Sequence, residues 1–129
     1  MPDAVRRPLT LDGVPGSLLA EYGFTRGTAI EVSYRCTDST AALVPLGDLI
    51  VPVGRKLNEA TVRRLLGRLR EGAALDPVPV FREPSAAQAT LLDGLHRWHV
   101  SKELGFSAIP CAYLSREDAE ICYRYSPLP

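Results

Sequence analysis

The chain has 129 residues, 46% of them apolar, and its fifteen basic residues balance its fifteen acidic residues. This length suits one domain with a buried core and is too short for two. The apolar content excludes a chain that is disordered throughout. Zero net charge provides no overall field that would draw the protein to nucleic acid or to an anionic membrane.

Cysteine usage and the absence of long apolar runs indicate the compartment. Cys36, Cys111 and Cys122 have no CxxC spacing, which disfavours a zinc site or a disulfide framework and fits reduced thiols. Cys111 lies in an apolar, strand-like run, so we expect a buried and inert thiol. No apolar run approaches the ~20 residues that span a bilayer, and no signal-like segment opens the chain. We therefore expect a cytoplasmic protein.

In the first third of the chain, the sequence predicts an irregular arm followed by a short helix and two strands. Residues 1–15 contain three prolines and read as an irregular arm, and residues 16–22 predict a short helix ended by Gly23. Residues 29–35 alternate apolar and polar side chains, which predicts a half-buried strand. After a polar turn, residues 41–45 predict the returning strand of an N-terminal hairpin.

The clearest predicted helix runs from Glu59 to Glu71. Asn58 is a suitable N-cap, and Gly72 can supply the left-handed residue after the helix. An apolar stripe at helical spacing predicts the face that packs on the core: Val62, Leu65, Leu66 and Leu69. A neighbouring stripe is polar: Thr61, Arg64 and Arg68. Between Arg55 and Arg70, six basic residues stand against one acid, which marks either a solvated helix face or an anion-binding surface.

The remaining elements predict the fold class. Residues 78–81 and 90–92 read as short strands, residues 95–105 as a helix ended by Gly105, and residues 109–114 as a further strand. Ser115 and the acids after it predict the start of a last helix. This order indicates an α+β fold, a small mixed sheet flanked by helices, rather than a regular dinucleotide-binding fold.

The segment Asp93-Gly94-Leu95-His96-Arg97 is the strongest candidate for a functional site. A strand ends, a glycine permits a tight turn, and a helix begins with basic side chains. Helix N-termini present N–H groups and partial positive charge, so they bind phosphate readily. Arg97 and His96 can donate to phosphate oxygens. Asp93 can hold a metal ion, orient a hydroxyl or accept its proton.

Simpler interpretations of the same residues stay open. Asp93 would also serve as an ordinary helix cap. Asp93, His96 and His99 are spaced three apart, but such positions drift by ~60° per step on a helix, which disfavours a transition-metal site. Trp98, the single tryptophan, is more typical of a core residue than of a platform for a base.

Residues 43–114 resemble the ParB/sulfiredoxin superfamily. The motifs that carry the resemblance are Val44-Pro45-Leu46-Gly47-Asp48-Leu49-Ile50, the helix Glu59 to Glu71, Asp76-Pro77-Val78-Pro79-Val80, Leu91-Leu92-Asp93-Gly94-Leu95-His96-Arg97-Trp98, Glu103-Leu104-Gly105 and Ile109-Pro110-Cys111. The resemblance implies a nucleotide-binding domain over residues 43–129. It does not account for residues 1–42, which we expect to pack on that domain as an arm and hairpin.

The resemblance also implies ligands and site residues. Members bind ATP, ADP or CTP, which implies phosphate contacts from Gly94, His96 and Arg97, with Mg²⁺ on the phosphates and Asp93 as a further magnesium ligand. The preceding helix in sulfiredoxin-like members adds polar contacts, here Thr61, Arg64 and Arg68. We add Arg55 as a further phosphate contact. Sulfiredoxins carry a cysteine directly before the His-Arg pair, where this chain has Leu95. Sulfinic-acid reduction is therefore not expected.

Three functions remain open. The Asp-Gly-x-His-Arg form resembles free serine kinases, which favours a kinase-like phosphotransferase or a nucleotide hydrolase acting on a small molecule, with Asp93 and His96 as catalytic residues. Those kinases also use a glutamate after the first Ile-x-Pro-like element, and residues 49–55 contain none. That departure favours a non-catalytic nucleotide sensor with a protein partner at its N-terminal region. A ParB-like DNA-binding or nuclease domain is disfavoured by the charge balance and by the lack of a DNA-reading motif.

Overall fold

The computed structural model describes residues 9–124. Within that range, the α-helices are α1 (Gly16–Glu21), α2 (Glu59–Arg70), α3 (Leu95–Leu104) and α4 (Arg116–Cys122), with a 3₁₀ turn at Leu46–Asp48. The strands are β1 (Thr10–Leu11), β2 (Ala42–Pro45), β3 (Leu49–Ile50), β4 (Leu57–Asn58), β5 (Val78–Phe81), β6 (Ala89–Leu91) and β7 (Ala108–Tyr113). The first eight residues of the predicted arm lie outside the described residues. None of these helices is long and apolar enough to cross a membrane.

Five strands form one mixed sheet in the order β2-β7-β5-β6-β3. The pairs β2–β7 and β5–β6 are antiparallel, whereas β5–β7 and β3–β6 are parallel. This arrangement confirms the predicted α+β class with a small mixed sheet and flanking helices. The central strand β5 brings the start of α3 close to the middle of the sheet, because β6 pairs with it and leads directly into the turn before α3.

The helices lie on both faces of the sheet. Val78 and Val80 of β5 belong to the main core cluster together with Val62 and Leu66 of α2. Successive strand residues point to opposite faces, and Phe81 accordingly joins a second, smaller cluster that includes Ala119 of α4. The predicted apolar stripe of α2 therefore faces the core, and its polar stripe is left for solvent or a ligand.

Helix α2 has the predicted caps at both ends. The Asn58 side chain accepts a hydrogen bond from the Thr61 backbone N–H at 3.0 Å. Gly72 has a φ of +76°. The helix ends at Arg70, one residue before the predicted end. These local signals fix where α2 begins, and hence which of its side chains face the turn before α3.

The predicted strand over residues 29–35 is wrong, so the N-terminal hairpin does not form. Ile30 and Val32 are 93% and 53% exposed, and only Tyr34 of the alternating residues is buried. The segment instead runs across the C-terminal end of α3, where the Ala29 N–H donates to the Leu104 carbonyl at 2.8 Å. β2 pairs with β7 rather than with this segment, whose Val32 carbonyl accepts instead from the Ser107 and Ala108 N–H groups.

The N-terminal segment packs against the helix α2 region. Leu18 and Leu19 of α1 are buried in the main core cluster. β1 pairs with β4 in a two-stranded sheet, with Thr10 opposite Asn58 and Leu11 opposite Leu57. This pairing brings residue 12 beside the loop that precedes α2.

Candidate functional site

The turn between β6 and α3 requires glycine at position 94. Gly94 is the N-cap residue of α3, with a φ of +91°. A Cβ atom at this position would lie 2.5 Å from Val78 Cγ1. The missing side chain therefore lets the turn pack directly on β5 and leaves the first turn of α3 facing a cavity.

That cavity, the α3 pocket, has a volume of about 410 Å³ and is strongly basic. Its lining includes five cationic side chains: Arg55, Lys56, Arg64, Arg97 and Arg124. Thr61, Asp93, Gly94 and His96 also line it, so the α3 pocket holds one acid against five cations. For a chain whose net charge is zero, this concentration of positive charge at a helix N-terminus is suited to a multiply charged anion.

A hydrogen bond orients His96, and burial favours its neutral form. Its Nε2 atom accepts a hydrogen bond from the Asn58 backbone N–H at 2.8 Å. Burial lowers the pKa of His96, Asp93 nearby raises it, and the Arg64 charge lowers it, with a net decrease. A neutral imidazole that accepts at Nε2 carries its proton on Nδ1. His96 therefore offers an N–H donor rather than an available basic nitrogen.

Arg97 is anchored to the start of β5. Its Nη1 donates to the Asp76 carbonyl at 2.8 Å and to the Pro77 carbonyl at 3.2 Å. The Tyr34 hydroxyl donates to the same Asp76 carbonyl at 2.8 Å. Since a guanidinium has five N–H donors in a fixed plane, the anchored Arg97 still presents its other edge to a ligand. Burial raises the pKa of Tyr34 well above its usual range, so the phenol stays neutral beside Arg97.

Asp93 lies between the turn and the C-terminal segment. One carboxylate oxygen accepts from the Gly94 N–H at 2.8 Å, and the other lies 3.8 Å from Arg124 Nε. The Arg124 backbone N–H donates to the Leu92 carbonyl at 3.1 Å, which ties this segment to the end of β6. The Asp93 side chain is 44% exposed, so it remains accessible from the pocket.

The structure brings together most, but not all, of the predicted contacts. Thr61, Arg64 and Arg55 line the α3 pocket with the turn residues. Arg68 does not line it, and its guanidinium donates to the Ala74 carbonyl at 3.3 Å. Arg68 is one helical turn beyond Arg64, a displacement of about 6 Å along the axis, which carries it past the end of the pocket.

Two lining cations were not assigned to the site from the sequence. Lys56 precedes β4 and forms an ion pair with Asp12, which the β1–β4 pairing places beside it. Arg124 returns to the site after α4. Lys56 belongs to the basic run between Arg55 and Arg70. That run is the sequence feature that could have indicated its place in the site. No local pattern identifies Arg124, since only the tertiary path of α4 brings it near Asp93.

A second cavity adjoins the first and shares Arg55 and Lys56 with it. This Trp98 pocket has a volume of about 450 Å³, and its other lining residues include Val51, Pro52, Trp98, His99, Lys102 and Asp12. Trp98 packs partly on the main core and donates from Nε1 to the Leu46 carbonyl at 3.2 Å. Trp98 is thus a core residue on one side and a rigid wall of the Trp98 pocket on the other.

The acids nearest in sequence to the pre-helix loop lie away from both cavities. Glu59 accepts from Arg63 at 3.0 Å on the outer face of α2. Asp48 lies with Arg82 and Tyr113 in a separate depression. Neither carboxylate lines the α3 pocket or the Trp98 pocket. Neither therefore stands in for the glutamate that the resemblance to serine kinases implies.

The cysteines and histidines do not gather into a metal site in the part of the chain that the structure describes. Within residues 9–124, no group of three or more His, Cys, Asp or Glu side chains is placed to hold a metal ion. Cys111 is buried, as predicted, and burial raises the pKa of its thiol to about 12. Cys36 and Cys122 are half-buried and, like Cys111, form no disulfide.

Comparison with solved structures identifies the fold. The chain is similar to sulfiredoxin from Arabidopsis thaliana, with a TM-score of 0.52 and 20% identity, over 66% of this chain and 98% of that one. It is also similar to a conserved hypothetical protein from Pyrococcus furiosus, with a TM-score of 0.51 and 17% identity, over 63% of this chain and 34% of that one. The chain therefore has the ParB/sulfiredoxin-like fold predicted from its motifs.

A curated protein shares part of the sequence. The chain is 37% identical over 57 residues to an ATP-dependent L-serine kinase from Desulfurococcus mucosus. The match covers 43% of this chain and 22% of that kinase, so the chain spans about a fifth of its length. No protein-family profile matches the chain.

Proposed function

We propose that this protein is a nucleotide-dependent phosphotransferase that acts on the hydroxyl group of a small molecule. The observation that carries the proposal is the α3 pocket, where five cationic side chains meet at the start of α3. The partial match to an ATP-dependent kinase supports ATP as the phosphate donor. ADP and CTP are the other nucleotides that the turn motif favours.

Several side chains of the α3 pocket would bind the phosphates. The lining includes Arg64 of α2 and Lys56 from the loop before β4, together with Arg97 of α3 and Arg124, which follows α4. His96 donates from Nδ1, since its Nε2 is bound to the Asn58 N–H. Fixed donors of this kind stabilise the charge that spreads over the transferred phosphoryl group. His96 therefore acts as an electrostatic ligand of the phosphates.

In this proposal, Asp93 acts on the acceptor. The acceptor hydroxyl oxygen bonds to the γ-phosphorus, and the bond from that phosphorus to the β,γ-bridging oxygen breaks. The nucleoside diphosphate leaves with the electron pair of that bond, and the hydroxyl proton passes to the Asp93 carboxylate. A Mg²⁺ ion bound to the phosphate oxygens would neutralise part of their charge, and Asp93 is the pocket carboxylate that would share it.

A non-catalytic nucleotide sensor is the second candidate function. Residues 49–55 contain no acid, and Asp48 and Glu59 lie outside both cavities. Asp12, the acid that lines the Trp98 pocket, is ion-paired with Lys56. A sensor would bind nucleotide at the same cations without turning it over, so binding and turnover must be measured separately.

The proposal is tested first by a thermal-shift screen of the full chain with ATP, ADP, CTP and GTP in the presence of Mg²⁺. A ligand at about 100 times its dissociation constant stabilises the folded state by about 2.7 kcal/mol. We expect a shift with ATP and ADP. Flat curves with all four nucleotides would contradict nucleotide binding and, with it, both candidate functions.

Asp93→Asn separates the two candidate functions. The amide keeps the size of the side chain and its acceptor oxygen for the Gly94 N–H, but it is a far weaker base. We expect the variant to bind ATP without Mg²⁺ at least as tightly as the wild type does, and to lose release of ADP from ATP when Mg²⁺ and small hydroxylated acceptors are present. Equal turnover by both proteins would contradict the role of Asp93. Binding without turnover by the wild type would favour the sensor.

A further inference from the structure

We propose that the Trp98 pocket binds the acceptor through an anionic group and selects against acceptors that carry a free ammonium. This inference rests on the proposed phosphotransferase function and names the class of acceptor, a short hydroxy acid. Three features support it: the charge of the Trp98 pocket, the placement of Lys102 over the Trp98 ring, and the lining residues that this pocket shares with the α3 pocket.

The charge of the Trp98 pocket favours anions. Its lining contains three cationic side chains, Arg55, Lys56 and Lys102, and a single acid, Asp12. Asp12 is 87% exposed and forms an ion pair with Lys56, so these two charges offset each other and the lining keeps an excess of positive charge. An acceptor with a free ammonium would therefore place that group among cations, whereas a carboxylate would be attracted.

Lys102 is positioned by the aromatic wall of the pocket. Its ammonium lies over the Trp98 ring, 5.5 Å from the ring centroid. Trp98 is itself fixed by its hydrogen bond to the Leu46 carbonyl, and the His99 ring packs edge-on against it at 5.0 Å. Burial, and then the Lys102 charge, lower the pKa of His99. At neutral pH, His99 thus adds a polar ring and no further charge. Of the α3 residues that line this pocket, Lys102 is the one that carries a positive charge.

The two pockets share part of their lining, which puts an acceptor held in one beside a nucleotide held in the other. Arg55 and Lys56 line both cavities. Val51 and Pro52 add apolar surface for the carbon chain of a small molecule. A ligand whose carboxylate meets Lys102 would extend its hydroxyl end along this surface toward the shared cations and the α3 pocket.

The test is a titration of the full chain, saturated with ADP and Mg²⁺, with glycerate and with L-serine. The two probes differ by a hydroxyl in place of the ammonium on the same carbon. We expect glycerate to bind about tenfold more tightly than L-serine, and Lys102→Gln to weaken glycerate binding about tenfold, the scale of one charged hydrogen bond. Arg70→Gln, which removes an exposed charge at the end of α2, is the matched control and should leave glycerate binding unchanged.

The outcomes separate this inference from the proposed function. If ADP binds but L-serine binds as tightly as glycerate, or if Lys102→Gln leaves glycerate binding unchanged, the acceptor class is wrong and the nucleotide site stands. If ADP binds and glycerate does not, the inference is overturned in the same way. If ADP itself does not bind, the proposed function fails together with the inference that rests on it.

Discussion

Gly94 couples the sharp turn before α3 to the packing of that turn on β5. Its positive φ and the 2.5 Å approach of a Cβ atom to Val78 both oppose any side chain. We expect Gly94→Ala to lower the free energy of unfolding by about 2–4 kcal/mol, combining backbone strain with overpacking. Urea unfolding checks this value. Gly47→Ala is the control, because nothing lies within 4 Å of its added Cβ. Equal losses in the two variants would contradict the account of the turn.

The pKa of His96 makes stability depend on pH in a defined direction. Its folded-state pKa is lowered from 6.5, chiefly by burial, so the unfolded chain takes up the proton first as the pH falls. The contribution of His96 to stability is therefore fully present above about pH 6.5 and is lost as the pH falls from there toward the folded-state pKa.

Replacing His96 by glutamine tests that direction. Gln can still accept from the Asn58 N–H but does not titrate. We expect His96→Gln to reduce the loss of unfolding free energy between pH 7.5 and pH 5.5, measured by urea unfolding at each pH. His99, whose pKa is also lowered, keeps part of the wild-type slope. An unchanged slope in His96→Gln would show that this imidazole is not held neutral.

At the scale of the element, the start of α2 depends on one side chain. Asn58 Oδ1 satisfies the Thr61 N–H at 3.0 Å, and loss of such a cap costs about 1 kcal/mol. We expect Asn58→Ala to lower the free energy of unfolding by about that amount, measured in urea. Asn58→Asp keeps an acceptor oxygen and should stay close to the wild type. If the two variants lose the same stability, the cap does not hold the helix start.

The elements that the sequence predicts well are those whose signals are local. Residues 59–71 contain an apolar stripe and are flanked by the cap residues Asn58 and Gly72. The observed helix ends one residue before the predicted end. Residues 29–35 show an equally regular alternation, yet Ile30 is 93% exposed and no strand forms there. A periodic pattern shows that one face of a segment is apolar. It does not show whether another part of the protein packs on that face. The two-residue strands β1, β3 and β4 are too short to show any period.

At the scale of the whole molecule, residues near the N-terminus contribute to the same core as α2 and β5. Leu19 of α1 is fully buried in the main cluster. We expect Leu19→Ala to lower the free energy of unfolding by about 2–5 kcal/mol. Leu9→Ala, at a side chain that is 63% exposed, is the matched control and should change it little. A small effect of Leu19→Ala would mean that α1 is not part of the cooperative unit.

Some residues of the candidate site can be predicted from local sequence, and others depend on tertiary structure. The turn Asp93–Arg97 is contiguous in sequence, and helical spacing places Thr61 and Arg64 on one face, so both groups are predictable. The contribution of Lys56 depends on the β1–β4 pairing, and that of Arg124 depends on the path of α4 back to Leu92. Arg68 shares the stripe of Arg64, but periodicity alone does not show where the pocket ends.

The difference between Arg64 and Arg68 gives the most direct test of the nucleotide site. Both are exposed arginines on the same face of α2, and only Arg64 lines the α3 pocket. The measurement is a calorimetric titration of the full chain with ATP and Mg²⁺. We expect Arg64→Ala to weaken binding by about 1.5–3 kcal/mol, the scale of a charged hydrogen bond, and Arg68→Ala to bind as the wild type does. Equal affinities for all three proteins, or a larger loss in Arg68→Ala, would contradict the assignment of the α3 pocket as the phosphate site.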